Sequence, residues 1–240
     1  MIEKIQYKHY LNVRKAFLNK EYRGLDSDDA ELKYEEFTKI LLMNKYLLLK
    51  CKYPQSYRIQ NQRGKYVFVV ITRFDSEFHN RSKELVNLLD KLSAVPEAKN
   101  NDSIDLILIT KELLKKRTIK KTREYAKFNY SNILSVRFIE EMPKANLCNK
   151  HEIIPNEEVK KLADECYIQI DKQDYISEDD TQNIWIGGLS GEIIKITRPS
   201  LMAGVAISYR YVTGVIAQPN DNMAEADLEE EEDDDEKKDE

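Results

Sequence analysis

Two stretches decide the fold, Tyr66-Val-Phe-Val-Val-Ile-Thr-Arg-Phe74 and Ile104-Asp-Leu-Ile-Leu-Ile-Thr110. Each is rich in β-branched residues and nearly unbroken in apolar character, whereas a strand with one wet face would alternate. Both are therefore expected as strands covered on two sides. Between them, Ser82 to Leu92 sets Leu85, Leu88, Leu89 and Leu92 along one side of a helix, which gives the order strand, helix, strand. Lys111 to Lys127 reads as a further helix and Ile133 to Ile139 as a further strand. The pattern is that of an α/β layered domain.

Upstream, Ile2 to Lys20 places Ile2, Ile5, Tyr10, Val13 and Phe17 at mostly helical spacing, with Gly24 as a stop. Asp26 to Asp29 offers capping side chains ahead of Leu32, Phe37, Ile40 and Leu41, so a second helix is expected to run to about Asn44. Downstream, Met142 to Lys150 contains Pro143 and lacks periodicity, as a linker would. Glu157 to Cys166 reads as a helix after Pro155; Ile184 to Ile186, Glu192 to Arg198 and Val205 to Val212 read as strands. Five of the seven glycines (Gly187, Gly188, Gly191, Gly204 and Gly214) fall there, marking tight connections of a compact sheet. The expected fold class is mixed, α+β or α/β. Helices surround a small sheet over 1–145, a small α+β domain covers 146–218, and 219–240 is a disordered acidic tail.

The chain has 240 residues, 41% of them apolar, enough to build cores and to exclude a wholly disordered protein. The mean hydropathy of -0.63 and the lack of a long apolar run argue against a membrane span, and Met1 to Lys8 has no signal-peptide core. Three cysteines, Cys51, Cys148 and Cys166, are too few and odd in number for a disulfide scaffold, so a reducing, intracellular setting is expected. The net charge of -5 divides unevenly. Glu225 to Glu240 holds twelve acidic residues and two lysines, a net of -10, leaving +5 on Met1 to Ala224. Such a block repels itself and serves either to solubilise or to bind basic surfaces and compete with nucleic acid.

The opposite charge gathers in Lys111 to Lys127, eight basic residues against Glu112 and Glu124. Lys115, Lys116, Arg117, Lys120, Lys121 and Arg123 are the candidates to approach DNA phosphates; a solvated helix face is the other reading. Metal-dependent nuclease chemistry would need an acidic residue and a Glu-x-Lys on neighbouring strands. Tyr66 to Phe74 carries no carboxylate, Glu97-Ala98-Lys99 follows a proline, and Glu158-Val159-Lys160 lies on a helix. Cys148 and His151 are spaced as zinc ligands can be, yet no second pair completes a site. No cofactor, metal, catalytic residue or small-molecule substrate is expected.

Gly191-Glu-Ile-Ile-Lys-Ile-Thr-Arg-Pro-Ser-Leu-Met-Ala-Gly204, followed by Ile207-Ser-Tyr-Arg-Tyr-Val212, resembles the C-terminal signature of the RNA polymerase subunit 5 family. That family includes a short archaeal polymerase subunit and the subunit shared by the eukaryotic nuclear polymerases. His151-Glu-Ile-Ile-Pro155 resembles the start of the same family domain. Tyr22-Arg-Gly-Leu25 and Tyr34-Glu-Glu-Phe37 resemble, more weakly, the helices opening the eukaryotic-type jaw domain. Met202 stands where the family has threonine, Tyr175 to Trp185 lacks the family's prolines, and the acidic tail is an addition. The resemblance implies a non-catalytic polymerase subunit, with a jaw-like domain over 1–145 and an assembly domain over 146–218. His151, Pro155, Arg198, Ser200, Ala203, Gly204, Tyr209 and Arg210 would then belong to the interface with the largest subunit, and the basic segment would lie near downstream double-stranded DNA. A jaw-bearing member points to a nucleus, or to a virion or cytoplasmic viral factory. The alternative is a stand-alone nucleic-acid-binding or nuclease-like α/β protein.

Overall fold

A computed structural model describes residues 2–54, 66–74, 82–101, 103–115, 125–145, 148–166 and 172–214. In chain order these form α1 (Ile2–Leu18), α2 (Tyr34–Asn44), β1 (Tyr46–Lys52), β2 (Tyr66–Thr72), α3 (Ser82–Ser93), α4 (Pro96–Lys99), β3 (Ile104–Thr110), β4 (Phe128–Leu134), β5 (Lys150–Ile153), α5 (Asn156–Cys166), β6 (Asp174–Ser177), α6 (Thr181–Ile186), β7 (Ile193–Ser200) and β8 (Gly204–Thr213). The fold is mixed α+β with two four-stranded sheets. None of the described helices is long and apolar enough to cross a membrane.

The two deciding stretches become adjacent parallel strands, Tyr66 opposite Ile104, in a sheet ordered β1-β2-β3-β4. Alternation along β2 divides its side chains between two cores: Val67, Val69 and Ile71 meet α1 and α2, while Phe68 and Val70 meet the leucines of α3. Burial on both faces is the physical reason the run is continuous rather than alternating.

Four expectations are corrected. The second helix starts at Tyr34, not beside the aspartates, and the Glu36 carboxylate accepts the Lys33 N–H at 3.2 Å to close its first turn. Asp29 instead accepts the Lys50 N–H at 2.7 Å, and Asp26 bridges to Lys52, so this segment is sewn to β1. The strand expected over Ile133 to Ile139 lies earlier, and Ser135–Phe138 is a 3-10 turn. Ile184 to Ile186 belongs to helix α6, because Asp180 accepts the Gln182 and Asn183 N–H groups as an N-cap and Gly187, at φ 78°, ends it. The described ends of the Lys111 to Lys127 segment, 111–115 and 125–127, are not helical; its middle, like the tail over 219–240, lies outside the described residues.

Helix α6, which precedes β7 of the second sheet, packs into the core of the first sheet. Trp185 is fully buried in the core of α1, with its indole N–H donating to the Arg137 carbonyl at 3.0 Å and its ring against Tyr22 and Phe138. The Arg23 guanidinium donates to the Ile184 carbonyl and lies over the Phe17 ring. Glu141 receives Lys15 at 2.5 Å and the Tyr22 hydroxyl at 2.6 Å. Burial and that carboxylate together push the Tyr22 phenol well above its ordinary range.

Candidate functional site

The second sheet runs β5-β7-β8-β6, and its middle strands outgrow their neighbours. β5 pairs only with Ile194 to Thr197, and β6 only with Arg210 to Thr213. Arg198 to Ala206 therefore projects as a two-stranded ribbon held by its own β7–β8 ladder, with Ile207 to Tyr209 at its base. The tip is a three-residue loop, Leu201-Met202-Ala203, between the paired residues Ser200 and Gly204. Its geometry needs a left-handed residue at Gly204 (φ 71°), and the Ser200 hydroxyl accepts the Ala203 N–H at 3.2 Å.

The ribbon carries apolar side chains into water. Leu201 and Met202 are completely exposed, and Val205 and Ile207 are about half exposed. Val205 lies opposite Pro199, and Ile207 opposite Thr197, on one face. Arg198 and Ala206 occupy the other. A contiguous apolar strip bordered by polar residues is the usual signature of a surface that another protein covers. Open backbone groups on the outer side of β8 at Ile207 and Tyr209 add a second means of attachment among the described residues.

The expected interface residues divide in two. Arg198, Ser200, Ala203, Gly204, Tyr209 and Arg210 share the ribbon and its base. His151 sits on β5 opposite Ile196, and Pro155 is exposed ahead of α5, so both lie across β7 from β8. Because a carbonyl only accepts, the contact of 2.8 Å with the Asn149 carbonyl puts the His151 proton on Nδ1. Arg210 reaches the Tyr175 carbonyl at 3.5 Å. Leu201, Val205 and Ile207 were not singled out from the sequence, although a turn occupied by leucine and methionine instead of turn-forming polar residues was a readable signal.

Elsewhere the expected site residues are less gathered. Lys115 is exposed, whereas Lys116, Arg117, Lys120, Lys121 and Arg123 lie outside the described residues. Glu97 pairs with Lys50 at 3.0 Å, and its own backbone N–H, followed by that lysine, holds its carboxyl below the ordinary range. Among the described residues no three His, Cys, Asp or Glu side chains gather as metal ligands. Cys51 is buried, which pushes its thiol up to about 12.

The ribbon and its flanks fall within a recognised sequence family. Residues 141–212 match the profile of the RNA polymerase Rpb5 C-terminal domain. A DNA-directed RNA polymerase RPB5 homolog of African swine fever virus is 23% identical over 197 residues, spanning 80% of this chain and 91% of the viral protein. The DNA-directed RNA polymerase subunit Rpo5 of Methanocaldococcus jannaschii is 41% identical over 66 residues, 28% of this chain and 85% of the archaeal one. That of Sulfolobus acidocaldarius is 42% identical over 66 residues, 28% and 79% respectively. With that profile over the projecting ribbon, and archaeal subunits matched over most of their length, the chain belongs to the Rpb5/Rpo5 family of DNA-directed RNA polymerase subunits.

Proposed function

We propose that this chain is a non-catalytic subunit of a multisubunit DNA-directed RNA polymerase that docks on the largest subunit through the β7–β8 ribbon. The observation that carries the reading is the ribbon's exposed apolar strip, lying inside the segment that matches the family profile. Isolated, it would leave Leu201, Met202, Val205 and Ile207 in water; burying such side chains stabilises an assembly by roughly 25 cal/mol per Å² of apolar surface, before the costs of association. Arg198 and Arg210, on the face opposite the strip, would fix its register by polar contacts.

The first unit, 1–145, would act as the jaw beside downstream duplex DNA. Supporting this are the +6 net charge of Lys111 to Lys127 and a viral relative that aligns over most of the chain. Such contacts would be to phosphates and would carry no sequence preference. The setting is the nucleus for a cellular copy, and the virion or cytoplasmic factory for a viral one.

Tagging the protein in its native setting, washing with salt and identifying what stays bound tests the reading. The expected result is recovery of the two largest polymerase subunits in equal amounts. Leu201→Glu with Val205→Glu should elute alone while melting like the parent, since both side chains are exposed. A parent chain that elutes alone, or an isolated chain that cuts DNA, would favour the stand-alone α/β protein instead.

A further inference from the structure

Strand β4 ends the first sheet, with β3 on one side and no strand on the other among the described residues. The Ile104 N–H donates to the Lys127 carbonyl, which sets the alternation of this parallel ladder and turns the odd-numbered backbone groups of β4 towards β3. The N–H and C=O groups of Tyr130 and Asn132 therefore face outward, and no backbone partner meets them among the described residues. Native sheets guard such edges with proline, lysine or a bulge. Asn129-Tyr-Ser-Asn132 contains neither residue, and its register with β3 is unbroken.

Asn129 to Ile133 of this edge strand, with Asp105 and Ile107 of β3 beside them, line a groove of about 440 Å³ that is also lined by Glu178, Asp179 and the Gly187–Leu189 turn. A volume of several hundred Å³ suits a ligand of a few residues. Three carboxylates, Asp105, Glu178 and Asp179, line the groove against one cation, Arg23, whose guanidinium is already engaged by the Ile184 carbonyl and the Phe17 ring. Glu178 accepts the Ser190 N–H at 2.5 Å, Asp179 is met by Arg137 at 3.3 Å, and Asp105 accepts from the Tyr53 hydroxyl at 2.8 Å and the Asn129 amide at 3.0 Å. A carboxylate offers about four lone-pair sites, so these contacts leave acceptor capacity for an incoming donor.

We propose that this groove binds an extended, lysine- or arginine-bearing segment of another protein, which adds to the first sheet as a fifth strand beside β4. Its backbone pairs with Tyr130 and Asn132, and its basic side chain meets Glu178 and Asp179. Open edge and acidic wall select together: the edge recognises extended backbone of any sequence, and the carboxylates reject acidic segments. The site is separate from the ribbon and does not depend on the polymerase reading.

The probe is the peptide acetyl-Thr-Val-Lys-Val-Lys-Val-Thr-amide, titrated into the isotope-labelled full-length chain while amide exchange is followed. Expected is slowing of the Tyr130 and Asn132 amides by about tenfold or more, with the odd-numbered β4 amides unchanged. A peptide with glutamate at both lysine positions, and one N-methylated at alternate residues, should bind about tenfold more weakly or not at all. Glu178→Gln with Asp179→Asn should weaken the lysine peptide by a similar factor while melting like the parent. Absence of slowing at Tyr130 and Asn132, or equal slowing by the glutamate or N-methylated peptide, would overturn the proposal. So would an unweakened double variant.

Discussion

His9 shows how one buried side chain sets a pH limit. It is 1% exposed, with its ring against Phe74 and Phe138. Burial lowers its pKa from 6.5 to about 4, opposed only in part by the Ser135 backbone. Between those two values the unfolded chain binds a proton that the folded chain refuses. Stability from this residue is therefore fully present above pH 6.5 and drains away as the pH falls towards 4, by about 3 kcal/mol in all. The carboxyls of Asp28, Glu97 and Glu141, held below their ordinary range, lose their contribution at lower pH, so the two windows separate. Thermal melts from pH 8 to 5 should show the parent losing stability while His9→Phe, which keeps an aromatic ring in an aromatic pocket, stays nearly flat. Identical slopes would mean that His9 does not titrate in this window. Gly188 illustrates a different constraint: a Cβ there would sit 2.2 Å from the Asn183 side-chain oxygen, so the turn after α6 has room for glycine alone.

At the scale of elements, α6 is the piece whose loss should be felt furthest. It is six residues long, yet Ile184, Trp185 and Ile186 are all buried, and Trp185 fills the core of the first unit. Trp185→Ala should cost about 3–5 kcal/mol. Because the indole also binds the Arg137 carbonyl, the variant should unfold in two steps where the parent unfolds in one, with new protease cleavage near 141–149. A single step with an unchanged midpoint would show that the joint rests on Glu141 and Arg23 instead. The same helix shows where sequence reading stops. β2 and β3 were legible because burial on both faces writes itself as unbroken apolar runs. Ile-Trp-Ile reads as a strand because three apolar residues fit either period, and the Asp180 cap is the signal that separates the two. β1 is hard to see because Tyr-Leu-Leu-Leu-Lys-Cys-Lys is poor in β-branched residues and follows α2 after a single left-handed residue, Lys45. β4 reads too late in the chain because its edge position makes Asn129 and Ser131 polar and exposed. The glycines of the ribbon were legible, but the exposure of Leu201 and Ile207 was not, since an apolar residue in water and one in a core are spelled alike.

For the whole molecule, charge is the quantity left to long range. A hydrogen bond from Arg23 to the Ile184 carbonyl joins positions 161 residues apart. The tail from Glu225 to Glu240 carries -10 against +5 on the rest of the chain, and the most basic segment, Lys111 to Lys127, carries +6. An acidic block tethered to a basic surface competes with phosphates for it, and that competition reaches about 10 Å at 0.1 M salt and less as salt rises. Removing Glu225 to Glu240 should therefore strengthen binding to duplex DNA at low ionic strength, with the gain shrinking steadily towards high salt. The melting temperature should hardly move, because a block of like charge buries little apolar surface. Fluorescence anisotropy of a labelled duplex, titrated with parent and truncated chains across a salt series, measures both the gain and its slope. Parallel curves with no gain at any salt concentration would mean that the tail does not screen the basic segment, and that the opposed charges act on different partners.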